Sequence, residues 1–577
     1  MARIPGTPGN DTLTGTVAPD EFVPLGGNDT ITGGGGFDQL DYSASPAGVA
    51  VNLLNGSAQD GYGGVDVFTG IQSVVGTRFA DYMAGNDFNN FFQPGEGSDA
   101  INGRSGFDTL SYAFVVNPTT SGVVGSLTSG LVRKPDGSTD NVIDIENLWG
   151  TRFADDLTGR DIGVSISNVR GYEGNDTLRA VRLGTAVAAD YRGDPTGVTV
   201  NLTTGQANDG FGGVDTLVNI RTIEGSSFND TLIGSDTRDL LRGNAGDDQI
   251  SGLGGNDALS GGAGTNVLDG GDGYDQLDQQ GFGLRNGATV SIAANRDIIV
   301  TRPGESTTLR NIEEISFLDG RIVFDVNDPA YKVARLYFAA LGRVGDQVGL
   351  NYWIDQLNSG NTLAPLAATF LASEEFNSTY GNLSDAAFVE RVYQNVLGRG
   401  SDPEGGRFWL GTLQNGASRA TVLTGFSESP EFKVRAIELQ GIGVWDRDES
   451  TAQVARLYDT VFDRLPDFAG LDLWNRSLRD KQLTIEQVTR AFTESSEFQA
   501  TYGSLSTRGF VSQLYINSLD RLADETGLNF YSQAIDNGEL TRAGVVLQFS
   551  ESAEHQLLTA ANVGGQTPET FGIRFTA

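Results

Sequence analysis

The sequence of 577 residues predicts a multidomain protein: a parallel β-solenoid with β-rich insertions, followed by an all-α domain of four helical repeats. Two observations predict this division. Glycine and aspartate dominate residues 1–328, where aspartate outnumbers glutamate 36 to 8 and recurs every nine residues. From residue 329 to 566, apolar residues recur at helical spacing in four similar segments. We therefore expect a turn-rich β region of residues 1–328 and a helical domain of residues 329–566.

The composition excludes several kinds of site before any motif is considered. The chain has a net charge of −35, no cysteine and a single histidine, His555. Disulfides, thiolate zinc sites and cysteine nucleophiles are therefore excluded, and the negative charge disfavours nucleic acids and anionic membranes. The sequence has no apolar run of about 18 residues, so no membrane span is predicted, and no N-terminal signal peptide is expected. So many carboxylates favour a metal ion as the partner.

The nine-residue repeat places an acid or an amide at a fixed position, and an aliphatic or aromatic residue follows two positions later. Two such units can close one flattened coil, with the apolar residues inside and the acids of adjacent coils on one edge. Isolated members occur at Asp155 and Asp176. The main positions are Asp11, Asp20, Asp29, Asp38, Asp81, Asn90, Asp99, Asp108, Asp230, Asp239, Asp248, Asp257, Asn266 and Asp275.

Carboxylates stacked this closely repel one another unless a hard cation lies between them. The glycine-rich turns offer backbone carbonyls that complete an oxygen shell, and this suits Ca²⁺ better than Mg²⁺. The alternative is that aspartate and glycine merely build turns without a metal. The predicted ligands of several calcium ions are Asp11, Asp20, Asp29, Asp38, Asp81, Asp99, Asp108, Asp230, Asp239, Asp248, Asp257 and Asp275.

Two successive units, 261–268 and 270–277, match nearly in full the GGxGxDxUx pattern of the RTX (repeats-in-toxin, or hemolysin-type) calcium-binding family, which this region resembles. The resemblance implies a right-handed parallel β-roll that binds calcium between successive turns. It also implies a bacterial protein that is exported unfolded by type I secretion machinery and folds on extracellular calcium. Asn90 and Asn266 depart from the family pattern, so we expect them to bind calcium weakly or not at all.

A longer repeat of 74 to 75 residues interrupts the nine-residue pattern: segment 48–81 returns as 197–230, with a degenerate middle copy near 122–155. Its alternating apolar residues predict strands that extend or buttress the roll. Four aspartates lie in its glycine-rich loops, where a plain β-turn explains them and further cations are an open alternative. They are Asp60, Asp66, Asp209 and Asp215. Strands near 290–324 are expected to close the solenoid.

Each helical repeat shares an arginine after its first helix, then an aspartate, a glycine and an aromatic residue at fixed spacing. A structural role is favoured over a catalytic one: the arginine lies near a helix C-terminus, the aspartate caps the next helix and the aromatic residue packs in the core. His555 takes a position that is phenylalanine in the other repeats, so a packing role is expected. The region resembles an uncharacterised helical family numbered 4214, and that resemblance implies no activity. The tail, 567–577, is predicted to be part of a C-terminal secretion signal.

The two repeat systems account for the whole chain, and no HExxH, GxSxG or P-loop motif is present. We therefore do not expect an enzyme. The leading hypothesis is a secreted, calcium-binding structural or adhesive protein of the bacterial cell surface. It would form homo-oligomers such as a surface layer (S-layer) or an extracellular matrix, or bind a surface polysaccharide. The alternative is a secreted polysaccharide-acting enzyme, either a hydrolase, a lyase or an epimerase, whose paired acids are hidden among the repeats.

Overall fold

The computed structural model describes residues 1–113, 121–163, 165–278, 285–563 and 572–573. The chain forms two compact units, 1–275 with 303–311, and 276–302 with 312–577. The predicted secretion signal at 567–577 lies, apart from residues 572 and 573, outside the described residues. No helix in the described part of the chain is long and apolar enough to cross a membrane.

The described strands are short, and most have three residues. Up to residue 113 they are β1 (Ala2–Pro5), β2 (Thr12–Thr14), β3 (Asp20–Val23), β4 (Thr30–Thr32), β5 (Gln39–Asp41), β6 (Ala50–Asn52), β7 (Ser57–Gln59), β8 (Val65–Thr69), β9 (Ser73–Val75), β10 (Tyr82–Ala84), β11 (Phe91–Gln93), β12 (Ala100–Asn102) and β13 (Thr109–Ser111). From residue 121 to 278 they are β14 (Val124–Ser126), β15 (Leu131–Arg133), β16 (Thr139–Ile143), β17 (Asn147–Trp149), β18 (Asp156–Thr158), β19 (Ser167–Arg170), β20 (Thr177–Arg179), β21 (Val187–Asp190), β22 (Thr199–Asn201), β23 (Gln206–Asn208), β24 (Val214–Val218), β25 (Thr222–Glu224), β26 (Thr231–Ser235), β27 (Leu240–Arg242), β28 (Gln249–Gly255), β29 (Ala258–Ser260), β30 (Gly264–Gly273) and β31 (Gln276–Leu277). After a 3₁₀ turn at Arg285–Gly287 come β32 (Thr289–Ile292), β33 (Ile298–Arg302), β34 (Glu305–Arg310), β35 (Glu314–Phe317) and β36 (Gly320–Val323).

The first unit is a solenoid whose chain alternates between two sheets. In the first sheet, β1, β3, β5, β9, β11, β13, β17, β19, β21, β25, β27 and β29 pair in parallel in that order. Leu241 pairs with Leu259, one coil of 18 residues later. Both side chains are fully buried, and the other apolar residues of the repeat are also buried, at 7% exposure or less. The predicted parallel β-roll is confirmed. Its core is a stacked row of apolar side chains, one from each strand, which we call the apolar file.

The long repeats insert three strands each into the second sheet. In the first insertion, β8 pairs in parallel with β4, β7 is antiparallel to both of its neighbours, and β6 pairs in parallel with β10. The chain thus enters at the far strand and returns, so the next coil stacks on β6. The second insertion (β14, β15, β16) and the third (β22, β23, β24) have the same topology. The insertions therefore extend one sheet of the roll.

The strands predicted to close the solenoid serve two different units. In the first unit, β34 pairs in parallel with β30 of the second sheet. In the second unit, β35 and β36 form an antiparallel hairpin. A strand from within the helical region, β37 (Val444–Arg447), adds to β36. This pairing explains why 312–323 lie in the second unit, although the composition groups them with residues 1–328.

Each helical repeat contains four helices. They are α1 (Pro329–Leu341), α2 (Gln347–Asn358), α3 (Leu363–Ala372), α4 (Glu374–Tyr380), α5 (Asp385–Leu397), α6 (Pro403–Gln414), α7 (Arg419–Ser427), α8 (Pro430–Gln440), α9 (Glu449–Phe462), α10 (Phe468–Arg479), α11 (Ile485–Glu494), α12 (Ser496–Tyr502), α13 (Thr507–Leu519), α14 (Glu525–Asp536), α15 (Arg542–Ser550) and α16 (Ala553–Val563). The first two repeats bury one apolar core and the last two bury another. The repeats therefore work in pairs.

The residues shared by the helical repeats are used for structure. Asp346 caps α2 by accepting the N–H of Gly349 at 2.8 Å. The equivalent aspartates of the other three repeats cap α6, α10 and α14 in the same way. Arg343 after α1 pairs with Glu375 of α4 at 2.6 Å, and the other three repeats form the same pair. His555 is fully buried, and its ring nitrogens lie 2.9 Å from Ser550 O and Asp459 Oδ2. These contacts account for the aspartate, the arginine and the histidine without a catalytic role.

Because Leu259 is fully buried in the apolar file, Leu259→Ala should lower the free energy of unfolding by about 2–5 kcal/mol. Denaturation in calcium, followed by circular dichroism, measures this. Leu131→Ala is the matched control, because Leu131 is 46% exposed, and it should change stability by no more than about 0.5 kcal/mol. Equal losses in the two variants would contradict the assigned core.

Candidate metal centre

The predicted ligand aspartates lie in the turns at the edges of the roll, and all of them except the half-buried Asp11 are buried. Most use one carboxylate oxygen to accept the backbone N–H of the ladder residue one coil earlier. The N–H of Asp230 donates to Asp248 Oδ1 at 2.9 Å, and that of Asp239 donates to Asp257 Oδ1 at 2.8 Å. The same bond runs from Asp11 to Asp29, from Asp20 to Asp38, from Asp81 to Asp99, from Asn90 to Asp108 and from Asp257 to Asp275. We call this series the aspartate ladder.

In one class of ladder turn, the residue four positions before the aspartate is threonine or serine. Thr77 donates its N–H to Asp81 Oδ2 at 2.6 Å and its hydroxyl to Oδ1 at 2.9 Å. Both oxygens of Asp81 are then hydrogen-bonded, because Oδ1 also accepts from Val49 N–H. We call these hydroxyl turns, and they hold Asp11, Asp20, Asp81, Asp155, Asp230 and Asp239. Hydroxyl turns satisfy most of their carboxylate oxygens within the protein.

In the other class, the residue four positions before the aspartate has a left-handed backbone. Five of these residues are not glycine and have φ between 65° and 77°: Leu25, Arg104, Tyr172, Asn244 and Leu253. We call these left-handed turns. In six of these turns one carboxylate oxygen, Oδ2, is buried and has no hydrogen-bond partner in the described part of the protein. This holds for Asp29, Asp38, Asp108, Asp176, Asp248 and Asp257.

Glycines make room for backbone oxygens beside these carboxylates. A Cβ on Gly252 would lie 2.6 Å from the carbonyl oxygen of Gly270 and would also collide with Asp257 Oδ2. A Cβ on Gly33 would likewise contact Asp38 Oδ2 at 2.5 Å and collide with Gly70 O. Each left-handed turn thus brings a carboxylate oxygen and a carbonyl oxygen to one small space. Such hard donors fit Ca²⁺, which takes six to eight oxygen ligands.

Among the described residues, no three acidic or histidine side chains gather as a metal cluster. A cation in a left-handed turn must therefore take most of its ligands from backbone carbonyls. Burial raises the pKa of Asp108, Asp248 and Asp257 to about 7, and that of Asp176 to about 9, with neighbouring carboxylates adding to the effect. Burial also raises the pKa of Asp29 and Asp38. A bound cation would favour the ionised form of each.

Three ladder positions already have a partner where a cation would bind. The ammonium of Lys134 lies 2.8 Å from Asp99 Oδ2, so the free oxygen of this predicted ligand is taken. Asn266 accepts the ladder N–H of Asp248 with its oxygen, and its amide nitrogen donates to Gly262 O at 3.0 Å. Asn90 accepts from Asn86 N–H at 2.8 Å. These contacts support the expectation that Asn90 and Asn266 bind calcium weakly or not at all.

The structure adds ligand candidates that the sequence analysis left aside. Asp176 appeared there only as an isolated member, yet its Oδ2 lies in a left-handed turn like the others. The missed signal was the residue four positions before each aspartate, because threonine or serine there marks the hydroxyl turns. Asp20 and Asp239 lie in hydroxyl turns and still keep Oδ1 without a hydrogen bond, although Arg221 is 3.6 Å from Asp239.

The stacked turns and paired parallel sheets define a β-roll of the calcium-binding kind. Residues 5–40, 75–110, 224–259 and 242–277 match the RTX calcium-binding nonapeptide repeat. Residues 367–436, 447–502 and 489–559 match a domain of unknown function, DUF4214. Both resemblances are confirmed: the roll contains RTX calcium-binding repeats, and the helical region contains DUF4214 repeats. RTX repeats bind several calcium ions, and neither repeat type is enzymatic by itself.

No curated protein matches the sequence. Among solved structures, the extracellular lipase LipA from Serratia marcescens is similar over 42% of this chain and 38% of the lipase chain. The identity is 17% and the TM-score is 0.11. The chain thus spans less than half of the lipase, and a TM-score this low supports no inference about activity.

The raised pKa values predict how acidity acts on the calcium-free protein. The pKa of each such aspartate is raised above its ordinary value of 3.8, so the folded state holds more protons than the unfolded state. The stability of the fold therefore falls as the pH rises towards about 7 to 9. We expect the far-ultraviolet β signal of the protein in calcium-free buffer to be weaker at pH 8 than at pH 5. The control is the same series in saturating calcium, where this trend should weaken. Higher stability at pH 8 without calcium would contradict the burial of these carboxylates.

Lys134 is 3% exposed, and its ammonium lies 2.8 Å from both Asp99 and Asp140. Lys134→Met should therefore cost about 3–5 kcal/mol in the free energy of unfolding, because it leaves two buried carboxylates without their counter-charge. Arg133→Met is the matched control, since Arg133 is the exposed neighbour, and it should stay within about 0.5 kcal/mol. Urea denaturation measures the free energy of unfolding of both variants. If Lys134→Met leaves that free energy unchanged, the two ion pairs are refuted.

Proposed function

We propose that this protein is a secreted bacterial protein whose roll folds on extracellular calcium and serves as a structural or adhesive element of the cell surface. The observation that carries the proposal is the row of buried, unpartnered carboxylate oxygens in the left-handed turns. Proteins with RTX repeats are typically secreted by bacteria, which supports an extracellular site of action. The proposed ligands with such an oxygen are Asp29, Asp38, Asp108, Asp248 and Asp257, and we add Asp176.

The free-energy cost of burying these carboxylates makes folding of the roll depend on calcium. Without a cation, each must be protonated or remain buried as an uncompensated charge. When bound, calcium supplies that compensation, so its binding free energy becomes folding free energy. At the low calcium concentration of the cytosol the ladder is unstable, and this favours an unfolded chain that suits type I secretion.

A structural or adhesive role is supported by the way both repeat systems use their shared residues. In the helical repeats, the arginine pairs with a glutamate and the aspartate caps a helix, so neither is left for chemistry. In the roll, the repeated acids hold coil to coil. Repetition of this kind builds extended surfaces, which favours self-assembly into a layer or matrix, or adhesion to a polysaccharide.

The calcium step is tested on the full-length protein by far-ultraviolet circular dichroism, first in EDTA and then with calcium added. We expect β signal to appear at about 10⁻⁴ to 10⁻³ M free calcium, as for other extracellular calcium modules. Magnesium at the same concentration is the control and should be much weaker, because it gives up its waters reluctantly. An unchanged β signal across the calcium titration would refute the proposal.

The surface role is tested in the same sample by sedimentation and electron microscopy in calcium. Sheets, filaments or binding to bacterial surface material would support it. Monomers that bind no surface, together with turnover of a polysaccharide, would instead favour the secreted polysaccharide-acting enzyme.

A further inference from the structure

The three insertions present the same turn to the aspartate ladder. The turn joins the second and third strands of each insertion, at 60–64, 134–138 and 209–213. In each, the N–H of the first residue donates to the carbonyl of the fifth, at 3.2, 2.9 and 3.1 Å. The third strand of each insertion pairs with a ladder strand, β4, β12 or β20. The first turn residue is therefore equivalent in the three copies, and it is Asp60, Lys134 or Asp209.

One carboxylate behind the turn has the same contacts in all three copies. It is Asp66, Asp140 or Asp215, and its Oδ1 accepts the N–H of the ladder aspartate at 3.0, 2.9 and 2.9 Å. Its Oδ2 accepts a buried tyrosine hydroxyl at 2.9, 2.7 and 3.1 Å. The framework is thus preserved, while the first turn residue changes its charge between copies.

In the middle copy that residue is a lysine, and its ammonium occupies the space between the carboxylates. Lys134 Nζ lies 2.8 Å from Asp99 Oδ2 and 2.8 Å from Asp140 Oδ1, and it donates to Gly95 O at 3.0 Å. Two carboxylates and a carbonyl oxygen thus hold a buried positive charge here. The middle copy shows where a cation binds in this framework.

In the first copy the same space has an additional carboxylate and no positive side chain. Asp60 is fully buried, and its Oδ1 accepts the N–H groups of residues 62, 63 and 64 at 2.8 to 2.9 Å. Its Oδ2 has no hydrogen-bond partner among the described residues, and neither has Oδ2 of the ladder residue Asp29. The third copy repeats this arrangement with Asp209 and Asp176, which are 6% and 1% exposed.

The fifth residue of the turn differs in the same way. A Cβ on Gly64 would lie 2.7 Å from Asp60 Oδ2 and would collide with Gly27 O. A Cβ on Gly213 would meet Asp209 Oδ2 at 2.7 Å and collide with Gly174 O. The middle copy has Ser138 at this position, beside its lysine. Glycine is therefore found where the carboxylate and a carbonyl oxygen must approach each other.

We propose that the turns of the first and third insertions each complete a calcium site, formed by Asp29 with Asp60 and by Asp176 with Asp209, and that Lys134 replaces this ion in the middle insertion. The inference rests on the proposed calcium-dependent fold. It adds that the inserted hairpins, and not only the nine-residue repeats, supply ligands. The chain thus holds two insertion sites that need calcium and one that has a built-in cation.

The test counts calcium ions bound to the full-length protein by equilibrium dialysis at saturating calcium. Asp60→Asn and Asp209→Asn should each bind one ion fewer than the wild type, and the double variant two fewer. Asparagine keeps the oxygen that accepts the turn N–H groups, so circular dichroism in calcium should still show the fold. Asp136→Asn is the matched control, because Asp136 is an exposed acid of the middle turn, and its ion count should not change.

The reciprocal variant keeps the test decisive if an asparagine variant fails to fold. Lys134→Asp combined with Ser138→Gly should bind one ion more than the wild type and should fold only in calcium. If the asparagine variants keep the wild-type count and the reciprocal variant gains no ion, the insertion sites are refuted. That result, with a wild type that still folds on calcium, would leave the proposed function standing. A wild type that ignores calcium would overturn the proposed function itself.

Discussion

The hydrogen bond from a backbone N–H to the carboxylate of the next coil is the interaction on which the roll depends. A buried N–H must find an acceptor, and at the turn edges the ladder aspartate supplies one. The bond fixes the stacking of coils, as between Asp230 and Asp248 at 2.9 Å. It also places the other carboxylate oxygen in a buried space, where an ionised group is costly unless it is compensated. Each bond of the ladder therefore buries a carboxylate whose charge destabilises the fold unless another group compensates it.

The protein meets that cost in different ways at different coils. At Asp81, the hydroxyl and N–H of Thr77 hydrogen-bond the carboxylate. At Asp99, the ammonium of Lys134 neutralises it, and at position 266 an asparagine removes the charge and donates its own amide. At Asp248 and the other left-handed turns whose Oδ2 has no partner among the described residues, we propose that a cation supplies the compensation. If the proposed calcium binding is correct, each coil differs in its need for calcium.

The amount that could be predicted from sequence follows the same division. The apolar file and the 18-residue stacking follow directly from the nine-residue period, because Leu241 and Leu259 can face inward only in that register. The predicted list of ligands was less selective, since nothing in the period separates Asp81 from Asp248. Left-handed backbone at Leu25 and Tyr172 is also invisible to composition, because side chains rarely adopt it. The role of Lys134 could not be recognised from the sequence, because it emerges only when the three insertion turns are compared in the structure.

The helical repeats hold together by interactions that involve no metal cation. Their shared charged side chains find partners within the protein, as Arg343 does with Glu375, and their aspartates cap helices. Such exposed ion pairs contribute little, so the stability of this region comes from its two buried apolar cores. Neither source needs a cation. The described acids whose buried oxygens lack partners are concentrated in the roll, so the proposed calcium-dependent folding concerns the roll and not the cores of the helical repeats.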